Sequence, residues 1–120
     1  MKMQDKVIIN DYIENDPLSE ENLDKALETV NEIRLSFPNK SIWIYSGYQW
    51  SEIFNDGVYL TKNCYGWKRR EIVRQCTVMV DGRYIDSQRN PSKKWAGSDN
   101  QRVIDCKESL RKGEIVLWKC

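Results

Sequence analysis

Three kinds of side chain in this 120-residue sequence are of types that do chemistry. The carboxylates Asp16, Asp81 and Asp99 each stand among turn-forming residues, where a carboxylate can move a proton, meet a divalent cation or accept backbone amides. Their spacing demands neither of the first two roles, and Asp81 before Gly82 reads most simply as a turn residue. Cysteines at 64, 76, 106 and 120, separated by 12, 30 and 14 residues, match no close-spaced zinc or iron–sulfur ligand pattern and read as thiols. Histidine is absent, which excludes Ser-His-Asp and Cys-His catalysis and histidine-containing metal sites.

Two aromatic–polar stretches could make contacts rather than chemistry. Tyr65-Gly66-Trp67-Lys68-Arg69-Arg70 sets aromatics beside cations, a composition that could stack on bases and meet phosphates, with Arg74 nearby, or dock on an acidic protein surface. The simpler reading of three adjacent charges is a solvated helix start, so nucleic acid is the weaker partner and protein the better one. Trp95-Ala96-Gly97-Ser98-Asp99-Asn100-Gln101-Arg102 joins an aromatic anchor to hydrogen-bonding side chains. It suits partner binding, or a loop whose polar groups satisfy its own carbonyls.

Placing these groups requires a scaffold, and its centre is the run 42–45, Ile-Trp-Ile-Tyr. An uninterrupted β-branched and aromatic run predicts a strand buried on both faces of a parallel sheet. Ser46, Gly47 and Tyr48 follow at its carboxyl end, where open α/β sheets bind ligands; a mere turn at Gly47 and packing at Tyr48 is the plain alternative. Upstream, 6–12 carries a first strand, closed by Glu14-Asn15-Asp16-Pro17. Ser19 then serves as N-cap of a helix with Glu20 and Glu21 in its first turn and Leu23, Ala26, Leu27, Val30 and Ile33 at helical spacing, stopped by Phe37-Pro38-Asn39. The unit is βαβ.

Downstream, a short helix over 50–54 breaks at Asn55-Asp56-Gly57, and 58–67 reads as a loop into a helix near 68–75. A strand over 77–81 ends at Asp81-Gly82, another carboxyl edge. Residues 87–98 form an extended loop anchored by Trp95, and 102–106 and 114–119 read as two short strands with Arg111-Lys112-Gly113 turning into the second. No linker divides the chain, so residues 1–120 are read as a single domain. No apolar run approaches the ~20 residues of a membrane span, and the first fifteen residues lack a signal peptide's apolar segment, which predicts a cytoplasmic protein with no membrane association. Residues 1–60 hold 5 Lys/Arg against 11 Asp/Glu, net −6, and 61–120 hold 14 against 7, net +7, so the chain is bipolar and its halves could attract each other or a partner.

Asn15-Asp16-Pro17-Leu18, the run 42–48, Val80-Asp81-Gly82 and the string from Trp95 to Arg102, followed by Val-Ile-Asp and Gly113-Glu-Ile-Val-Leu-Trp118, together resemble the carboxyl-terminal two-thirds of the anaerobic ribonucleoside-triphosphate reductase activating proteins. That resemblance implies a radical S-adenosylmethionine scaffold with a partial (β/α) barrel, in a family that installs a glycyl radical on its reductase. The family's Cys-x3-Cys-x2-Cys loop belongs to an amino-terminal segment outside this sequence, which predicts no [4Fe–4S] cluster, no radical chemistry and no cofactor. Where the family places two cofactor-approaching glycines stand Glu14 and Asn15, whose side chains crowd the approach, although asparagine tolerates positive φ better than glutamate does. Ala96 replaces a common arginine, and the stretch around 63–70 has no counterpart.

The expected fold is α/β, either a half (β/α) barrel or an open sheet with flanking helices and a C-terminal β extension. Asn15, Asp16, Ser46, Gly47 and Asp81 are then the vestige of a cofactor site, with no catalytic or metal-binding residues. Tyr65, Trp67, Arg69, Arg70, Trp95, Ser98, Asn100, Gln101 and Arg102 are the candidate partner-binding residues. An unpaired sheet edge near 6–12 predicts self-association or complex formation. The functional expectation is a catalytically inactive binder, acting as decoy or inhibitor on a large host protein or complex, as a phage anti-defence protein would. The alternative is an accessory component that binds the reductase or S-adenosylmethionine.

Overall fold

The run expected to be central is central. In the computed structural model, which describes residues 6–54 and 64–119, β2 (Ser41–Ser46) lies between β1 (Lys6–Ile8) and β3 (Val78–Asp81) and is parallel to both. An antiparallel β4 (Arg102–Asp105) completes the order β1-β2-β3-β4. The sheet is open, so of the two architectures expected the open sheet with flanking helices is the one found. The Asn55-Asp56-Gly57 turn, the first part of the 58–67 stretch and Cys120 lie outside the described residues.

Alternation along β2 divides the interior into two layers. Ile42 and Ile44 point into a core with Met79 of β3 and Ile104 of β4, covered by Leu23, Ala26 and Val30 of α1 (Leu23–Ser36) and by Ile72 and Val73 of α3 (Cys64–Arg74). On the other face Trp43 is buried beside Val78, its register partner. That face is closed by an aromatic layer: the rings of Trp95 and Trp118 stand edge-on to Trp43 at 5.5 and 5.9 Å, and the Lys6 ammonium lies 3.7 Å from its centroid. A parallel strand buried on both sides must be apolar throughout, which is why 42–45 carries no polar residue.

Several element ends differ from expectation, each for a local reason. β1 stops at Ile8 and a 3-10 turn, Ile9–Asp11, follows. The Asn10 side chain keeps the ladder going, donating to Tyr45 O at 2.9 Å and accepting from Tyr45 N at 2.9 Å. Ser19 does not cap α1; its hydroxyl donates to Asp16 O, and a 3-10 turn, Glu20–Asn22, intervenes before Leu23. α2 (Trp50–Phe54) is as expected, whereas α3 begins at Cys64, earlier than the 68–75 helix predicted.

The C-terminal β extension is smaller than expected because a helix intervenes. α4 (Cys106–Lys112) is capped by the Asp105 carboxylate accepting from Glu108 N, and ends at Gly113 with φ +73°. The final stretch then returns to β4 through one bridge, Ile104 with Leu117, flanked by Asp105 N to Val116 O and Trp118 N to Val103 O. This pairing covers the β4 edge, while β1 has no second strand beside it among the described residues.

Truncating the central layer tests this packing. Ile44→Ala removes a fully buried side chain between helices and sheet and is expected to cost roughly 3 kcal/mol, read as a lowered urea midpoint at unchanged slope. An unmoved midpoint would place Ile44 outside the core.

Candidate functional site at the carboxyl edge of the sheet

The carboxyl ends of β1, β2 and β3 open into a shallow depression of about 330 Å³. Asn15, Asp16, Ser46 and Gly47 line it as expected, joined by Asn10 and Arg83. Asp16 organises the near side: its Oδ2 accepts from Gly47 N at 2.8 Å and from the Ser46 hydroxyl at 3.1 Å, while Oδ1 accepts from Leu18 N at 2.9 Å. Its backbone carbonyl accepts from Ser19 and Asn22. The carboxylate thus fastens the loop after β1 to the end of β2, and the Ser46 hydroxyl passes the chain on by accepting from Tyr48 N.

Two backbone features shape the floor. Asn15 has φ +65°, so this residue takes the left-handed conformation that asparagine tolerates, and Glu14 does not. The chain bends at Gly47 as expected, and the approach is close as well: a Cβ there would lie 3.1 Å from Arg83 Cγ and 3.4 Å from Asp16 Oδ2.

Asp81 is less a turn residue than a buried tie. Its carboxylate, 1% exposed, accepts from Trp50 N at 2.8 Å and takes the Arg102 guanidinium on both oxygens, at 3.0 and 2.6 Å. Asp81 and Arg102 are register partners on β3 and β4, so one carboxylate joins two strands and the start of α2. The hydrogen bond to Asp81 also holds the Arg102 charge more firmly than usual.

The rest of the Trp95 to Arg102 string is directed inward. Ser98 is fully buried, its hydroxyl accepting from Ile85 N and donating to Asn100 Oδ1. Asn100 donates to Arg83 O and Gln101 to Gly82 O, while Gln101 Oε1 accepts from Gly97 N and Ser98 N. Trp95 adopts φ +67°, rare for a bulky residue, and its ring is spent on Trp43. Asp99 accepts from Asn90 within the same loop. The string therefore fixes the 82–85 turn and presents Tyr84, half exposed, and Ile85 outward beside the depression.

The α3 residues divide. Trp67 and Tyr65 are exposed, at 52% and 37%. Arg69 is engaged within the fold, donating to Leu18 O at 2.8 Å and Tyr48 Oη at 3.0 Å and lying over the Tyr48 ring. Arg70 Nη1 is buried without a hydrogen-bond partner among the described residues. Lys68 pairs with Asp24 of α1. Sequence reasoning missed Asn10, Arg83 and Tyr84. An asparagine two residues beyond a strand was the one available signal, and the other two carry no pattern that marks them.

Among the described residues no three His, Cys, Asp or Glu are grouped to hold a metal ion. Cys76 and Cys106 are buried at the opposite, amino-terminal edge of the parallel strands. Burial pushes the Cys76 thiol up to about 12, with nearby Arg34 opposing, and raises Cys106 well above the thiol range. Both thiols stand apart from the depression, across the length of the strands from it.

Two outcomes follow from this geometry. Asp81→Asn keeps the shape but strands the Arg102 charge, which is partly solvated; the expected loss is about 2 kcal/mol by urea denaturation, and an unchanged stability would deny the tie its role. Cys76 and Cys106 should resist iodoacetamide at pH 8 in the folded protein and react once it is unfolded, as peptide mass spectrometry would reveal. Because folding raises both pKa values, stability from these thiols is intact below the unfolded value of about 8.5 and falls as pH rises toward 12. Rapid labelling of the folded protein would contradict their burial.

Comparison with known proteins adds the lineage. The model of a family described as a 4Fe-4S single cluster domain matches residues 14–104. The anaerobic ribonucleoside-triphosphate reductase-activating protein of Escherichia coli is 32% identical over 88 residues, covering 73% of this chain and 49% of the relative. That of Enterobacteria phage T4 is 33% identical over 89 residues, 73% and 47% of the two chains, and that of Vibrio cholerae serotype O1 is 29% identical over 88 residues, 73% and 49%. This chain thus spans about half the length of the curated relatives it matches. No solved structure matches it. The matched segment runs from the loop after β1 through the Asp81–Arg102 tie into β4, nearly all of the carboxyl-edge framework: the chain belongs to the 4Fe-4S single cluster domain family and is a relative of the anaerobic ribonucleoside-triphosphate reductase-activating proteins.

Proposed function

We propose that this chain is a catalytically inactive member of its family that works by binding a large enzyme, as a decoy or inhibitor. The observation that carries the reading is the combination of an intact carboxyl-edge framework with two thiols, Cys76 and Cys106, buried at the other edge. A carboxyl edge whose carboxylates Asp16 and Asp81 are engaged in internal bonds has a shape to present, with neither of those acids left to move a proton. The surface it presents comprises Tyr84 and Ile85, held out by Ser98, Asn100 and Gln101, with Tyr65 and Trp67 on α3 as a second exposed aromatic pair. Aromatic side chains of this kind anchor interfaces because they bury much area at little entropic cost.

The enzyme to test first is the anaerobic ribonucleoside-triphosphate reductase that the relatives are named for activating. A second reading, an accessory role that includes S-adenosylmethionine, is favoured by one feature only, the left-handed φ at Asn15 beside an open depression. Mixing the purified chain with that reductase is expected to give co-elution in size exclusion and slower activation by the cognate activating protein. Tyr84→Ala or Trp67→Ala should weaken both effects about tenfold if either side chain anchors the contact. Calorimetric titration with S-adenosylmethionine should give no heat. Binding of S-adenosylmethionine that is lost in Asn15→Trp would move the conclusion to the accessory role, and neither co-elution nor inhibition would remove the reductase as the target.

A further inference from the structure

At the amino-terminal edge of the parallel strands, on the far side of the sheet from the depression just described, lies a second cleft of about 730 Å³. Arg34, Lys40, Arg74 and Lys107 line it, and no aspartate or glutamate among the described residues does, although the chain carries 18 of them against 19 lysines and arginines. We infer that this cleft binds a small polyanion carrying two or more phosphate groups, a site separate from the carboxyl-edge surface and independent of the binding role proposed for it.

The four cations are not equivalent. Arg34 is part of the wall: its guanidinium donates to Pro38 O, Lys40 O and Gln75 O at 3.0, 2.8 and 2.6 Å, which neutralises the chain ends leaving α1 and α3 and fixes the charge in place. Its field reaches the floor, where it opposes the rise of the Cys76 thiol. Arg74 and Lys107 do something else. Both are exposed, and neither has an ion-pair partner among the described residues. Lys107 stands in the first turn of α4, where a cation opposes the helix dipole, so its position does not serve the helix. Two exposed cations lining the same cleft as a fixed one suit multidentate phosphate, each additional phosphate engaging a further charge. Among the described residues no aromatic side chain lines the cleft to stack a run of bases, and the exposed pair Tyr65 and Trp67 lies at the other end of α3 from Arg74. This favours a small ligand over a nucleic-acid strand. The volume is in the range of small-molecule sites.

Inorganic tripolyphosphate is the probe. Titrated into the full chain at low salt, followed by calorimetry and amide chemical shifts, it is expected to bind one to one and perturb residues around Gln75, Thr77 and Lys107. Arg74→Ala and Lys107→Ala should each raise Kd about tenfold, raised salt should weaken binding, and Arg83→Ala at the opposite edge should change nothing. ATP binding tighter than tripolyphosphate through the same residues would assign a nucleoside polyphosphate, and equal affinity the phosphate chain alone. Both substituted residues are exposed, and circular dichroism checks that the variants fold; Arg74→Gln and Lys107→Gln replace any that do not. Absence of binding, affinity unchanged in the double variant, or loss on Arg83→Ala overturns the assignment. So does an oligothymidylate that binds through Arg74 and Lys107 and is not displaced by tripolyphosphate.

Discussion

One carboxylate with three donors around it sets the geometry of the whole carboxyl edge. Asp81 is buried, and a buried carboxylate is tolerable only when its charge is matched and its lone pairs are filled. Arg102 supplies the charge in a two-pronged contact and Trp50 N fills the remaining direction. Since these donors come from β4 and from the start of α2, satisfying Asp81 forces the antiparallel strand into register and sets where the chain leaves β2. Asp16 repeats the device one strand over, at lower burial, and ties the loop after β1 to Gly47. Asp16 and Asp81, two of the three acids whose type could have served chemistry, are structural anchors, and the depression forms beside the loops they hold.

The sheet has unlike faces as well as unlike edges. One face is packed by α1 and α3 with aliphatic side chains, the other by three indoles contributed from β2, the 82–101 loop and the terminal stretch. Helices alone could not have closed the second face, because the connection from β3 to β4 is a loop with a single 3-10 turn, Asp86–Gln88. Large rings on irregular backbone do the covering instead, and the backbone strain at Trp95 is offset by burial of its ring against Trp43. No helix among the described residues is long and apolar enough to cross a membrane.

What could be read from the residues follows from where the physics is local. The apolar run of β2, the period of α1 and the stop at Pro38 are each decided within a few neighbours, and they are found where expected. The resemblance carried the lineage through the string ending at Arg102, whose side chains are held together by mutual hydrogen bonds. Elements decided by distant partners were not legible. The Asn10 amide substitutes for a strand residue only because Tyr45 stands beside it. α4 was split between strand and turn although Asp105, Glu108 and Gly113 mark a cap, a third position and a stop, since its seven residues are too few for a period to show. Asp81 and Arg102, 21 positions apart, are a pair only once two strands are set in register.

Asn15 separates two properties that a glycine supplies together. A glycine in a ligand loop gives the backbone a left-handed turn, and it also leaves the volume of a side chain empty. At φ +65° asparagine preserves the first and surrenders the second. The trace of the loop is therefore the one a glycine would give, while a carboxamide stands where a glycine would leave space beside the depression. Shape of backbone and room for a ligand are thus set by different atoms of the same residue.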